Sequence, residues 1–198
     1  MRVMHVIEAM HQGGAETLVV EHARHAAGDI ETLVCALNRG GPALEAARLA
    51  GARAEVLGGG GLARLWALAR RMRREGVDVV HGHNPTGGLY GALAARLAGV
   101  PVVLRTEHSF HFAGRHSNFY PALERVSTAM TDRVICVCEA VRASHAPRLG
   151  GPPGRFVVIL NGVAEGGAAR PRAKTRAELG IAEAAPLLLT VGSLTRQK

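Results

Sequence analysis

Cysteine is scarce in this sequence, and long apolar runs are missing. The three cysteines, Cys35, Cys136 and Cys138, cannot form a disulfide framework, and the last two alternate faces on a strand instead of making a CxxC pair. The longest apolar stretch, residues 89–104, is interrupted by an arginine and a proline, and the amino terminus lacks the layout of a signal peptide. We therefore expect no membrane-spanning segment and a cytoplasmic location.

Lysine is rarer still. Only Lys174 and Lys198 occur among the 24 basic residues, so nearly all of the positive charge is arginine, and with 16 acidic residues the formal net charge is +8. Arginine suits phosphate and carboxylate partners. However, a composition rich in alanine, glycine and arginine explains the same charge without any partner, so charge alone selects no function.

The apolar pattern predicts alternating strands and helices. Strands are predicted at 3–7, 31–37, 53–57, 77–81, 102–106, 133–138 and 156–160, and helices at 15–27, 42–50, 62–74, 86–98, 119–130 and 138–149. Several strands are apolar on both faces, as strands of a parallel sheet between two helix layers must be. The sequence therefore predicts an α/β fold, a Rossmann-like doubly wound parallel sheet.

The composition changes after Asn161-Gly162, which is itself a turn signal. A segment rich in glycine, alanine, proline and arginine leads to a short helix near 174–179 and a strand at 187–191. We interpret this as a first domain at 1–163, a linker with a short helix at 164–185, and the start of a second domain at 186–198. The alternative is that 187–191 joins the first sheet as an edge strand.

Ligands of open parallel sheets bind beyond the carboxyl ends of the strands, so the polar residues that follow each predicted strand are the candidate site. They fall into three clusters, which we expect to face one cleft: Gly13, Gly14 and Glu16 after the first strand; His81, His83 and Asn84 after the fourth; and Glu107, His108 and Ser109 after the fifth.

The glycine cluster opens a helix, where free backbone N–H groups and the helix dipole favour an anion. A tight strand-to-helix turn would need the same glycines. Gly13 and Gly14 match neither GxGxxG nor GxxxxGK[ST], so neither a dinucleotide site nor a P-loop has sequence support.

The histidines admit several interpretations. His81 and His83 could form a metal site with His108 or Glu107, but hydrogen-bonding groups in a polar cleft are more common, and we expect no metal. His108 is the best single candidate for handling a proton or binding a sugar hydroxyl, with a satisfied loop histidine as the alternative. The remaining strand and helix histidines, His5, His22, His25 and His145, are explained by packing or exposure.

Residues 62–74 predict an amphipathic helix that carries five arginines. Packing of its apolar side on the sheet is the favoured interpretation, and contact with an anionic membrane surface is the alternative. The predicted apolar side consists of Leu62, Leu65, Trp66, Ala69 and Met72.

Five motifs occur in order: GGAE at 13–16, DVVHGH at 78–83, TEH at 106–108, RVICVCEAV at 133–141 and ILNGV at 159–163. Together they resemble the amino-terminal half of family 4 retaining glycosyltransferases of the GT-B fold. The tail, LLLTVGSLTRQK at 187–198, is similar to the first strand and phosphate loop of that family's second domain. The resemblance covers essentially the whole chain.

The resemblance implies that a nucleotide sugar binds between two Rossmann-like domains, that the first domain holds the acceptor, and that no metal is required. It assigns Gly14, with Gly13, to the donor diphosphate, His108 to the transferred sugar, and Lys198 to the donor phosphate. Ser193 stands where the family's phosphate loop usually carries arginine, and Arg196 is the available substitute. The paired glutamates of the family's E-x7-E motif would lie beyond Lys198.

The function that the resemblance implies is retaining transfer of a sugar from a nucleotide-sugar donor to a glycan or lipid-linked acceptor. The candidate sugar or acceptor contacts are Glu16, His83, Asn84, Glu107 and Ser109. We expect no nucleic-acid partner. Two alternatives remain open: a non-catalytic domain that binds a glycan or nucleotide, and a GT-B sugar-nucleotide epimerase. We expect this chain alone to be inactive, because most donor contacts in the family come from the second domain.

Overall fold

The computed structural model of the chain describes residues 1–26, 28–110, 119–163 and 170–191. Strands and helices alternate through these residues. In chain order the elements are β1 (Arg2–Ala9), α1 (Gly14–Arg24), β2 (Glu31–Arg39), α2 (Pro42–Leu49), β3 (Arg53–Val56), α3 (Gly61–Glu75), β4 (Val79–His83), α4 (Asn84–Ala98), β5 (Val102–Glu107), α5 (Phe119–Ala129), β6 (Arg133–Cys136), α6 (Glu139–Leu149), β7 (Phe156–Val158) and α7 (Arg172–Glu178).

The strands of the described residues form one parallel, seven-stranded sheet with the order β3-β2-β1-β4-β5-β6-β7. From β1 the chain adds strands outward in one direction as far as β3, then returns to the other side of β1 with β4. The order therefore reverses between β1 and β4, and this switch point is where open α/β sheets bind ligands.

Each face of the sheet is covered by its own apolar cluster, because side chains alternate along a strand. On β1, Met4 and Val6 pack in the cluster that contains Leu68 and Met72 of α3. Ile7, on the opposite face, packs with Val19 of α1. The doubly wound α/β prediction is confirmed.

β4 begins and ends two residues later than predicted, and α4 begins two residues earlier but ends at Ala98 as predicted. The parallel ladder continues beyond His81 to pair His83 with Thr106, so His83 lies on the strand and not in a loop after it. Asn84 then adopts a left-handed conformation, with φ of 59°, and α4 starts at once. Asparagine tolerates that region better than most residues.

The predicted strand at 187–191 is wrong, since these residues have no regular secondary structure. A strand needs a partner for its backbone N–H and C=O groups, and none of the described strands pairs with this segment. The alternative edge-strand prediction is wrong for the same reason. The chain divides into two compact units, Met1–Asn161 and Gly162–Lys198, and the predicted short helix is present as α7.

Helix α3 packs on the sheet through Leu68, Ala69 and Met72. The predicted apolar side was partly wrong, because Leu62 is 74% exposed and Trp66 48% exposed. Among the described residues, no helix has the length and apolar character needed to cross a bilayer.

Candidate active site

The site predicted from strand ends lies around the switch point. β1 leads into the glycines at the start of α1, β4 ends at His83 and passes directly into α4, and β5 ends just before His108. Because β1, β4 and β5 are neighbours in the parallel sheet, their carboxyl ends share one edge.

The glycine loop is open to solvent. Gly13 precedes α1, Gly14 begins it, and both residues are exposed. A Cβ atom added to Gly14 would meet no atom within 4 Å, so packing within the protein does not require glycine there. A Cβ atom on Gly13 would lie 2.4 Å from Oε2 of Glu16, whose flexible side chain folds back over the loop. The space in front of Gly14 is therefore free for a ligand that approaches the backbone closely.

Five histidines, His5, His22, His81, His83 and His108, form a group that we call the histidine cluster. Their ring centroids are separated by 4.4 to 6.5 Å in the neighbouring pairs. The cluster arises from the sheet register, which places His5 opposite His81 on adjacent strands. His83 follows two residues after His81 and so projects from the same face, and His22 of α1 covers that face.

Three of these rings form a hydrogen-bonded chain. Nδ1 of His5 lies 2.9 Å from Nε2 of His83, and Nδ1 of His83 lies 3.0 Å from Nε2 of His108. His83 is fully buried, whereas His108 is partly buried and lies at the edge of the site. His83 thus reaches the edge of the site only through His108, and its direct contact with a sugar or acceptor remains a prediction that its burial disfavours.

Burial keeps the cluster neutral, because desolvation penalises the charged imidazolium. It lowers the pKa of His5 to about 3 and the pKa of His108 to about 4. The pKa values of His81 and His83 are well below the usual value for the same reason, with a further contribution from the neighbouring rings. A neutral His108 is a hydrogen-bonding group at pH 7 and a weak general base.

The metal interpretation has a geometric basis, since His5, His81 and His83 each offer a ring nitrogen within 4.8 Å of the others. Most of these nitrogens are already engaged. Nε2 of His81 is 2.7 Å from Oγ1 of Thr106, and both nitrogens of His83 bond to neighbouring rings. A metal bound by His83 would have to break one of its two hydrogen bonds to neighbouring rings, and the absence of a metal stays our prediction.

Glu107 lies in the interior. It is 1% exposed and forms an ion pair with the fully buried Arg105. Glu124 lies 3.9 Å from the same guanidinium and pairs with Arg148. Arg105 and Glu107 project from the same face of β5 because they are two residues apart. This arrangement favours a structural role for Glu107 over the predicted sugar contact.

The two remaining predicted contacts lie beside His108. The side-chain Oδ1 of Asn84 accepts a hydrogen bond from the backbone N–H of His108 at 3.4 Å. Ser109 is exposed, and its carbonyl accepts a hydrogen bond from Nε2 of His145 at 3.0 Å. Asn84 and Ser109 therefore hold the strand end that carries His108. Lys198, Ser193 and Arg196 lie outside the described residues.

Sequence reasoning missed His5 and His22 as members of the cluster, because a histidine on a strand or helix is usually explained by packing. The available signal was a polar residue at the centre of the apolar first strand, in register with the first histidine of an HxH motif on the neighbouring strand.

Comparisons with known proteins show the family of the chain and its fold. The family model described as Glycosyltransferase Family 4 matches residues 12–165. A UDP-Gal:alpha-D-GlcNAc-diphosphoundecaprenol alpha-1,3-galactosyltransferase of Escherichia coli is 35% identical over 103 residues, which are 50% of this chain and 27% of that protein. An alpha-maltose-1-phosphate synthase of Mycolicibacterium smegmatis is 35% identical over 142 residues, 63% of this chain and 35% of that protein.

Among solved structures, Anabaena Alr3699/HepE in complex with UDP superposes with a TM-score of 0.75 at 16% identity, over 91% of this chain and 50% of that one. At this identity the likeness shows the fold alone. The chain thus spans about a quarter to a third of the curated relatives it matches, and half of the solved structure.

Proposed function

Because the chain belongs to glycosyltransferase family 4, we propose that it is the acceptor-side, amino-terminal half of a retaining glycosyltransferase. The substrates in this proposal are a nucleotide-sugar donor and a glycan or lipid-linked acceptor. The observation that carries it is the family match over 12–165, which includes Gly13, Gly14, the two histidines of β4 and His108. The structure complexed with UDP supports a nucleotide donor, and the name of the Escherichia coli relative supports a lipid-linked acceptor.

The geometry supports a division of roles within the site. The open backbone at Gly13 and Gly14 suits the donor diphosphate, because the start of α1 offers unpaired N–H groups and the positive end of a helix dipole. His108 is the neutral side chain next to that edge, and we assign it a hydrogen bond to the transferred sugar. An acceptor hydroxyl would attack from the face on which the diphosphate leaves, which retains the anomeric configuration. Lys198 is proposed to bind the donor phosphate.

The test is a transfer assay with a chain extended through the donor domain that the proposal requires. UDP-sugars and a diphospholipid-linked sugar are supplied, and the product linkage is read by NMR. We expect a product with the anomeric configuration of the donor. An inverted product would refute retention. Epimerised sugar nucleotide without transfer would favour the epimerase alternative, and ligand binding without either reaction would favour a non-catalytic domain.

The 198-residue chain alone is proposed to catalyse no transfer. Catalysis depends on contacts made in the transition state, and one wall of a cleft neither excludes water nor holds the leaving diphosphate in place. Incubation with sugar nucleotides should therefore release nucleotide at the spontaneous rate. Turnover well above that rate would show that the first domain is sufficient.

A second proposal is peripheral contact with an anionic membrane at its cytoplasmic face, through α3. The exposed Leu62 and Trp66 lie one helical turn apart, and the exposed Arg70 follows one turn later. Arginines near anionic headgroups contribute about 1 kcal/mol each. We expect the chain to sediment with phosphatidylglycerol vesicles at low salt and less at high salt. Trp66→Ser should weaken binding more than the control Leu49→Ser, and equal binding to neutral vesicles would refute the proposal.

A further inference from the structure

His83 has both ring nitrogens in hydrogen bonds to other imidazoles. Its Nε2 faces Nδ1 of His5 at 2.9 Å, and its Nδ1 faces Nε2 of His108 at 3.0 Å. A neutral imidazole has one N–H donor and one acceptor nitrogen. Since burial keeps these rings neutral, His83 must donate to one neighbour and accept from the other.

The two bonds must therefore run in the same direction. If His5 donates through Nδ1, then His83 accepts at Nε2 and donates through Nδ1, and His108 accepts at Nε2 and carries its proton on Nδ1. If His108 donates through Nε2, the same logic puts the proton on Nε2 in all three rings. Either way the three rings share one tautomer, and a mixed set would place two protons or none between a pair of nitrogens.

The hydrogen-bonded series of imidazoles, His5 to His83 to His108, ends at the Nδ1 atom of His108. This atom is buried and has no hydrogen-bond partner among the described residues. His108 is not in ring contact with His5, so His5 can influence it only through His83 or through packing.

We propose that His5 and His83 are positioning residues that set the tautomer of His108, and so decide whether its Nδ1 donates or accepts a hydrogen bond to a bound sugar. This inference rests on the proposed function for the identity of the ligand. A fixed tautomer presents one kind of hydrogen-bonding atom, so a sugar group of the wrong polarity leaves a buried polar atom unpaired.

His81 supplies a matched control. Its ring lies close to that of His83, with centroids 4.4 Å apart and the planes tilted by 30°, and it projects from the same face. Its Nε2 forms a hydrogen bond with the hydroxyl of Thr106 and not with the hydrogen-bonded imidazoles. Replacing His81 therefore disturbs the packing around His83 without removing a link of the chain.

The experiment is long-range ¹H–¹⁵N NMR of the imidazole nitrogens in the unliganded chain at neutral pH. In the wild type we expect His5, His83 and His108 to share one tautomer. His5→Leu should change the tautomer ratio of His108 by about fivefold, the change in an equilibrium expected from the loss of one ordinary hydrogen bond. His5→Asn, whose amide can donate or accept near the Nδ1 position, should restore the ratio, and His81→Leu should leave it unchanged.

Three results would overturn the proposal: mixed tautomers among the three wild-type rings, an unchanged His108 in folded His5→Leu, or an equal change in His81→Leu. If His5→Leu fails to fold, the wild-type spectrum still tests the proposal, because different tautomers among the three rings are incompatible with the two hydrogen bonds that link them. The measurement needs no substrate. Failure here would leave the transferase proposal standing, and absence of transfer would leave the tautomer result standing.

Discussion

Alanine at Gly14 and at Gly87 should change stability in opposite directions, although both glycines lie near the start of a helix. A Cβ atom at Gly14 meets nothing within 4 Å. A Cβ atom at Gly87 would lie 2.4 Å from the backbone oxygen of Val6 and 3.1 Å from Cα of Ile7, because α4 is pressed against β1. Backbone atoms of a central strand cannot move aside as a flexible side chain can.

The magnitudes follow from these contacts. Alanine in place of glycine stabilises a helix position by up to about 1 kcal/mol, because the unfolded chain loses freedom. Overpacking costs about 1–3 kcal/mol. The two variants should therefore differ by about 1–4 kcal/mol, which for a chain of this size separates their melting temperatures by roughly 2–16 °C.

Thermal and urea unfolding of the two variants and the wild type measure this difference directly. Gly14→Ala should melt at or slightly above the wild type and Gly87→Ala clearly below it. A destabilised Gly14→Ala, or an unaffected Gly87→Ala, would refute the packing argument. Gly14→Val in the extended chain should weaken donor use, because the branched side chain would hold the diphosphate away from the start of α1.

Four further results are expected. His108→Ala in the extended chain should lower kcat more than it raises KM, if the contact forms chiefly in the transition state; equal activity would contradict this. Glu107→Gln should lower the free energy of unfolding by about 1.5–3 kcal/mol, because the buried Arg105 loses its nearest carboxylate and retains the more distant Glu124. Glu139→Gln, at an exposed pair, should change urea stability by less than about 0.5 kcal/mol. Elemental analysis should find less than one zinc per chain; stoichiometric zinc would contradict the metal-free cluster. The free energy of unfolding should fall as the pH drops from 6.5 towards 5. The pKa is about 3 for His5 and about 4 for His108 in the folded chain, below the unfolded value of about 6.5. In this pH range the unfolded chain therefore binds more protons than the folded chain. Each such imidazole adds up to about 1.4 kcal/mol per pH unit to the slope in urea titrations, and a flat profile would contradict the neutral cluster.

Much of the fold could be predicted from the sequence because strand and helix periods alternate clearly. On β2, one face of the sheet carries Leu33, Cys35 and Leu37, and the opposite face carries Val34 and Ala36. Apolar residues on both faces are typical of a buried parallel strand. The segment 187–191 has equally strong strand character but forms no strand, because a ladder depends on a partner that local sequence does not specify.

The sequence predicts which residues meet at the candidate site better than it predicts their contacts. The polar residues after β1, β4 and β5 lie at one edge of the sheet because these strands are parallel neighbours, and that rule follows from topology. The chain from His5 to His108 depends on register between strands that are far apart in sequence, and a single-strand pattern carries no register. Glu107 could have been recognised as a core residue, because Arg105 lies two positions earlier on the same face of an apolar strand.

The close contact of α4 with the sheet also explains how the edge of the site is held. Cβ atoms at Gly82 and Gly87 would lie within 2.9 Å of backbone atoms of α4 and β1, so glycine at both positions lets the helix approach the strands. That approach allows α4 to begin directly at the end of β4, through the left-handed Asn84, whose Oδ1 accepts from the backbone N–H of His108. His108 is then fixed from two sides, through its backbone by Asn84 and through its ring by His83. The close packing at Gly82 and Gly87 thereby sets the geometry of His108, the side chain proposed to bind the sugar.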